Sequence, residues 1–283
     1  MRTTMPIAFA RFKCRRLLLV LALLLLPLPV RGYVLMGEHV LDRMATALGS
    51  SAALSATQTL TLHRAPPPLP SPVTMTETVR LQQPDLFRAD AIGGPHTRRI
   101  LFAGGTALMA VDGVLQPDRP PGYTRYHDLL ILKSRKALTA YLRRLGIDVG
   151  VSSLGRWEDD YCYVVGARFP DEEAPQLWVS KDTFLPVRLL LPPATGITGS
   201  QPVEIRYRNW TVVDGTAFPM HVVCLANHQI MQEIRVDRVA VAPGWSDAPF
   251  DPLVFRRESA APPAADEARG PFPAGRILLP SAE

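Results

Sequence analysis

The chain has 283 residues, with 31 Lys and Arg against 26 Asp and Glu, a formal charge of +5. Six of the basic residues and none of the acidic ones fall within residues 1–32, leaving 25 against 26 in the remainder. The excess of positive charge is therefore local to the N-terminus and leaves no electrostatic footprint for nucleic acid. A remainder of about 250 residues suffices for one domain with a sizeable core.

Residues 1–32 read as an export signal. Arg11, Lys13, Arg15 and Arg16 form a basic front, Leu17 to Leu26 an unbroken apolar run, and Pro27 and Pro29 end it before Val30-Arg31-Gly32. The run is shorter than the roughly 20 apolar residues a membrane-spanning helix needs. Cleavage near Tyr33 and a periplasmic location are the expectation, with an uncleaved inner-membrane anchor the lesser alternative. Cys14 precedes the apolar run and so does not read as a lipid-attachment site. Beyond it only Cys162 and Cys224 remain, both in strand-like runs, and buried free thiols are the expected state over a bridge.

Beyond the signal, Gly37 to Leu48 has the spacing of an amphipathic helix, with Val40, Leu41, Met44 and Leu48 on one stripe and Gly49 as the stop. Leu60 and Leu62 alternate with Thr59 and Thr61 as a first strand. A proline-rich loop at Pro66 to Pro72 interrupts it, and Thr74 to Leu81 resumes the pattern. Pro84 has no N–H to give and ends that strand; Leu86-Phe87-Arg88 starts the next. Two strands between Arg99 and Asp112 flank Gly104-Gly105 as a hairpin. A second amphipathic helix spans Ser134 to Leu145, closed by Gly146.

The rest of the chain up to Val241 is a meander. Tyr161 to Ala167, Gln176 to Ser180, Val187 to Leu191, Val203 to Trp210, Met220 to Asn227 and Ile230 to Val241 all carry strand patterns. Val203, Ile205 and Tyr207 alternate with Glu204, Arg206 and Arg208, as in an antiparallel sheet with one covered face. Residues 256–283 are rich in Ala, Pro, Glu and Arg without period and read as a disordered tail.

Catalytic patterns are sparse. The six histidines are scattered without metal-ligand spacing, so no metal or cofactor is expected. Gly150 to Gly155 misses the spacing of a nucleophile elbow, and Glu158-Asp159-Asp160 reads as a solvated turn. With no convergent polar set the chain does not read as an enzyme.

The order of elements, with Pro84-Asp85-Leu86-Phe87-Arg88, the segment PQLWVSKDTFLPVRL (Pro175 to Leu189) and EIRYRNW followed by Phe218-Pro219, resembles the LolA-like family of periplasmic lipoprotein carriers over roughly residues 33–255. The resemblance implies a mainly β fold with α cover: an unclosed, strongly curved antiparallel half-barrel lidded by helices. It implies a monomeric carrier without cofactor that takes acyl chains of lipoproteins or lipids and hands them between inner- and outer-membrane partners. The alternative it admits is a lipid-sensing regulator that reports to a membrane signalling protein. Cavity candidates on this reading are Phe87, Leu101, Leu108, Trp178, Ile205, Tyr207 and Ile234. Where the better-known carriers place a basic lid-holding residue before the proline, this chain has Gln83, so Gln83 and Arg88 are the candidates for a lid latch. Arg88 is expected on the face opposite Phe87, in water.

Overall fold

A computed structural model describes residues 34–118, 120–191 and 202–260. The proposed export signal and the chain beyond residue 260 lie outside them. Among the described residues thirteen strands form one antiparallel sheet: β1 (Ala53–Leu62), β2 (Val73–Gln82), β3 (Leu86–Gly93), β4 (His96–Ala103), β5 (Thr106–Val111), β6 (Val114–Leu115), β7 (Ser152–Trp157), β8 (Asp160–Val165), β9 (Gln176–Ser180), β10 (Pro186–Leu191), β11 (Val203–Val213), β12 (Thr216–Ala226) and β13 (Gln229–Val241). The spatial order is β6-β5-β4-β3-β2-β1-β13-β12-β11-β10-β9-β8-β7, so the sheet has two free edges and is an unclosed half-barrel. The longest strand, β13, joins its halves by pairing with β1 on one side and β12 on the other. Register shifts at Thr57/Gln58, Pro186/Arg188 and Cys224/Leu225 insert bulges, which bend and twist the strands that carry them.

Among the described residues four α-helices accompany the sheet: α1 (Gly37–Leu48), α2 (Asp128–Ile131), α3 (Arg135–Arg144) and α4 (Pro252–Ala260). A 3₁₀ segment, Gly122–His127, leads directly into α2, with a kink at Arg125. None of the helices among the described residues is long and apolar enough to cross a membrane. Ser134 caps α3, its hydroxyl accepting from the Ala137 amide.

Strand alternation sorts the apolar residues onto two faces. The inner face carries Leu60, Val79, Phe87, Ile100, Phe102, Leu177, Ile205, Tyr207 and Ile234 in one cluster, filled from above by α1, residues 122–131 and α3. The outer face carries two smaller clusters. One joins Leu101, Ala103 and Ala110 to Phe250 and Phe255 of the C-terminal segment. The other centres on Cys162, Val164 and Trp178, flanked by Trp157. Gly155 is required beneath it, since a Cβ there would lie 2.7 Å from the Trp178 ring.

The C-terminal end departs from the sequence reading. In place of a tail from residue 256, the chain turns at Ala248–Phe250 and forms α4 through Ala260, because Phe250 and Phe255 supply an apolar face that the outer surface of β4 and β5 receives.

Candidate functional site

The region with the strongest constraints is the middle of the inner face and the segment over it, residues 122–131. Phe87 projects inward from β3 and stacks on His127, ring centroids 3.5 Å apart and planes 6° from parallel. Phe102 and Tyr126 complete the ring cluster at 5.1 and 5.7 Å from His127. Tyr207 donates its hydroxyl to the Tyr126 carbonyl at 2.8 Å, tying the segment to β11. Asp128, itself buried, accepts from Arg125 Nε at 2.7 Å and lies 3.2 Å from His127 Nε2. Tyr141 of α3 also hydrogen-bonds Asp128, so one carboxylate joins the segment to the neighbouring helix. Burial holds the His127 imidazole at about 4, with Asp128 pulling the other way. His127 is therefore a neutral ring at neutral pH, stacked as an aromatic.

Below this segment a polar group is set into the apolar floor. Glu77 on β2 and Arg98 on β4 are 1 % and 4 % exposed and paired at 3.0 Å. Gln58 donates to Glu77 at 2.5 Å and to the Tyr126 hydroxyl at 3.0 Å. Gln232 accepts from Arg98 at 3.4 Å and donates to Cys224 Sγ at 3.5 Å. None of the four is among the residues expected from sequence, although the strand pattern places all four in an inward phase, Gln58 with Leu60 and Gln232 with Ile234. Glu77 stands in phase with Met75, Val79 and Leu81, and Arg98 with Ile100 and Phe102, so both are polar groups at inward positions.

Of the seven cavity candidates, the structure brings Phe87, Ile205, Tyr207 and Ile234 together on the inner face. Leu101, Leu108 and Trp178 stand on the outer face: the first two beneath α4, Trp178 between Trp157 and Phe169. Each is one residue out of phase with an inward neighbour, Phe102 beside Leu101 and Leu177 beside Trp178. The four inner residues are at most 2 % exposed and packed against the helical cover.

The two latch candidates have different surroundings. Gln83 donates to the Ser51 carbonyl at 3.1 Å, in the link from α1 to β1, and borders a crevice that Leu130 and Ile131 also line. Arg88 does lie opposite Phe87, yet it is buried and not hydrated. It donates to Asp90 at 2.8 and 3.0 Å, to the Pro249 carbonyl at 3.0 Å and to Glu258 at 2.6 Å, and stands 5.8 Å over the Phe255 ring. Its physical task is to fasten the C-terminal helix to the outer face, which explains why the guanidinium could leave water.

The outer Trp178 cluster contains a similar device. Arg188, 4 % exposed, donates to Glu204 at 2.7 Å and to both oxygens of Glu172, and lies 4.3 Å over Trp157. Its role there is packing and charge neutralisation, with the Glu204 carboxyl held below its ordinary value: burial opposes this, but bonds from Arg206 and Arg188 outweigh it. Among the described residues no group of three or more His, Cys, Asp and Glu is placed to hold a metal ion.

No family model and no curated protein matches the chain. In structure it is similar to a domain from Vibrio parahaemolyticus assigned to outer-membrane lipoprotein sorting, at 9 % identity, covering 78 % of this chain and 98 % of that one with a TM-score of 0.49. It is similar at 11 % identity to a DUF1329 family protein from Desulfovibrio piger, covering 77 % and 96 % with a TM-score of 0.49. A LolA superfamily protein from Nitrosomonas europaea is similar at 12 % identity, covering 77 % and 98 % with a TM-score of 0.44.

Proposed function

We propose that this chain is a periplasmic carrier that shelters acyl chains of lipoproteins or lipids on its inner face, and that residues 122–131 are the lid that leaves when cargo enters. The observation that carries this reading is the way the inner face is filled. Its centre is covered by a short 3₁₀ segment and a four-residue helix, held by ring contacts to Phe87 and Phe102, by the buried side chains of Leu129, Leu130 and Ile131, and by a few hydrogen bonds. The floor beneath is apolar from Phe87 to Ile205 except at the buried polar group of Gln58, Glu77, Arg98 and Gln232.

An acyl chain is a chemically fitting replacement for that cover. Each buried CH₂ contributes about 0.8 kcal/mol, so a sixteen-carbon chain is stabilised by roughly 12 kcal/mol when sheltered. Lifting Tyr126, Leu129 and Leu130 away costs about 1.5–3 kcal/mol for each side chain, which offsets much of that gain, and direction comes from the membrane partners at each end. Export through the N-terminal segment would place the carrier in the periplasm.

Native mass spectrometry of protein taken from its own periplasm tests the reading. Acyl-bearing species should co-purify, and the intact mass should correspond to a chain starting near Tyr33. Protein that carries no acyl species and fails to bind a fluorescent acyl probe is not a carrier.

A further inference from the structure

We propose that Gln58, Glu77, Arg98 and Gln232 form a socket for an amide bond, so that the carrier selects acyl chains attached through an amide over free fatty acids and acyl esters. This inference rests on the carrier reading and assigns the cargo chemistry of that same face.

The four side chains come from four different strands, β1, β2, β4 and β13, and each points inward among apolar neighbours. An ion pair there gives the fold little. Apolar residues of similar volume would pack as well without the cost of drying two charges. Two polar atoms of the group moreover find no hydrogen-bond partner among the described residues: Gln58 Oε1, an acceptor, and Arg98 Nε, a donor. Both belong to side chains bonded to the same Glu77 carboxylate, Gln58 through Nε2 at 2.5 Å and Arg98 through Nη2 at 3.0 Å, so the two unpartnered atoms belong to one cluster. The lid covers them: the Tyr126 hydroxyl is bonded to Gln58 Nε2. When the lid lifts, that N–H is released as a second donor.

The valences on offer decide the ligand. Glu77 neutralises Arg98, so the socket holds no unmatched cation for a carboxylate or phosphate. An ester can accept from the donors but has no hydrogen for Gln58 Oε1. A secondary amide supplies both halves, its C=O accepting from Arg98 Nε or Gln58 Nε2 and its N–H donating to Gln58 Oε1. A site built with an acceptor discriminates against analogues that cannot donate to it, because the acceptor is then left buried and unpaired.

The test is displacement of a fluorescent acyl probe from the full chain by four sixteen-carbon competitors: N-methylhexadecanamide, N,N-dimethylhexadecanamide, methyl hexadecanoate and hexadecanoate. The secondary amide should bind about tenfold more tightly than the other three. Gln58→Leu should reduce the ratio of secondary-amide to ester affinity to about twofold or less, whatever the loss of the Tyr126 bond does to both affinities together. The ranking on the unaltered protein decides the matter even where the variant does not fold. Equal displacement by all four overturns the socket and leaves the carrier standing. Tightest binding by hexadecanoate makes Arg98 a carboxylate anchor and overturns the amide assignment. No displacement by any competitor overturns both readings.

Discussion

Phe87 and Arg88 are consecutive in β3 and hold down two different covers. The Phe87 ring stacks at 3.5 Å on His127 of the inner cover, and Arg88 Nη2 donates at 2.6 Å to Glu258 of the outer helix. The pleat of a strand makes this possible, since successive side chains leave on opposite faces. One strand near the middle of this half of the sheet thus supports cover on both sides.

Removing Arg88 should release the outer cover. Arg88→Met deletes bonds to Asp90, Pro249 and Glu258 and leaves Asp90 to Arg80 and Arg99, 3.1 and 3.7 Å away. Breaking a buried pair of this kind is expected to cost about 2–4 kcal/mol. Glu258→Gln removes a partly exposed partner and should cost below about 1 kcal/mol. Urea denaturation gives both values, and hydrogen exchange over residues 248–260 should quicken more in Arg88→Met. Equal exchange in wild type and variant would show that Phe250, Phe255 and the Arg99 bond to the Glu258 carbonyl hold α4 without Arg88.

The lid should loosen in acid through His127. Burial lowers its value from 6.5 to about 4, so between these limits the unfolded chain binds a proton that the folded chain refuses. The folded state is therefore unaffected above about pH 6.5 and loses stability as pH falls, by up to about 3 kcal/mol once pH reaches 4. Carboxylates such as Glu233 and Glu204, whose values are lowered, lose their contributions only from about pH 4.5 downward. His127→Phe keeps a ring against Phe87 without a titrating group. The difference in unfolding free energy between wild type and His127→Phe should be flat above pH 6.5 and slope below it. A difference that stays constant down to pH 4.5 would mean that His127 is protonated without leaving its place.

Much of this architecture is written in local patterns. The helix at Gly37–Leu48 and the alternation of Val203, Ile205 and Tyr207 with charged residues in β11 are direct consequences of period. Residues 122–131 are not legible in that way because GYTRYHDLLI has no amphipathic period; it is apolar or buried nearly all round, as a plug between sheet and helices must be. Pro219 suggests a break that would start β12 at Met220. The strand starts instead at Thr216, and Pro219 is tolerated because β12 pairs with β13 only from His221 onward. Which face each candidate occupies is out of reach for strands apolar on both sides. β9 reads Leu177, Trp178, Val179 without alternation, and only the clusters above and below it divide Trp178 from its neighbours.

The two described cysteines should be inert in the folded protein. Cys224 lies in the inner cluster and Cys162 in an outer one, both free and buried, so the sheet stands between them. Burial pushes their thiols up to about 12 and about 11 respectively, which leaves almost no thiolate at pH 8. A thiol reagent should therefore label neither in native protein and both in denaturant without reductant. Labelling of both that requires a reductant would contradict their placement on opposite faces.

The lid bond from Tyr207 gives the most direct handle on function. Tyr207→Phe removes the 2.8 Å bond to the Tyr126 carbonyl and changes nothing else in the volume of the inner face. The closed lid should lose about 1 kcal/mol, which raises the open fraction about fivefold. A carrier that binds cargo only when open should then bind an acyl probe about fivefold more tightly, while its unfolding free energy drops by about 1 kcal/mol. Ile205→Glu is the contrasting variant. Ile205 is 1 % exposed in the floor below the lid, so a carboxylate there should cost several kcal/mol of stability and abolish probe binding together with the fold. Tyr207→Phe separates the two quantities, because it weakens the fold and strengthens binding. If its probe affinity falls in step with stability, the 122–131 segment is part of a fixed core and cargo does not enter beneath it.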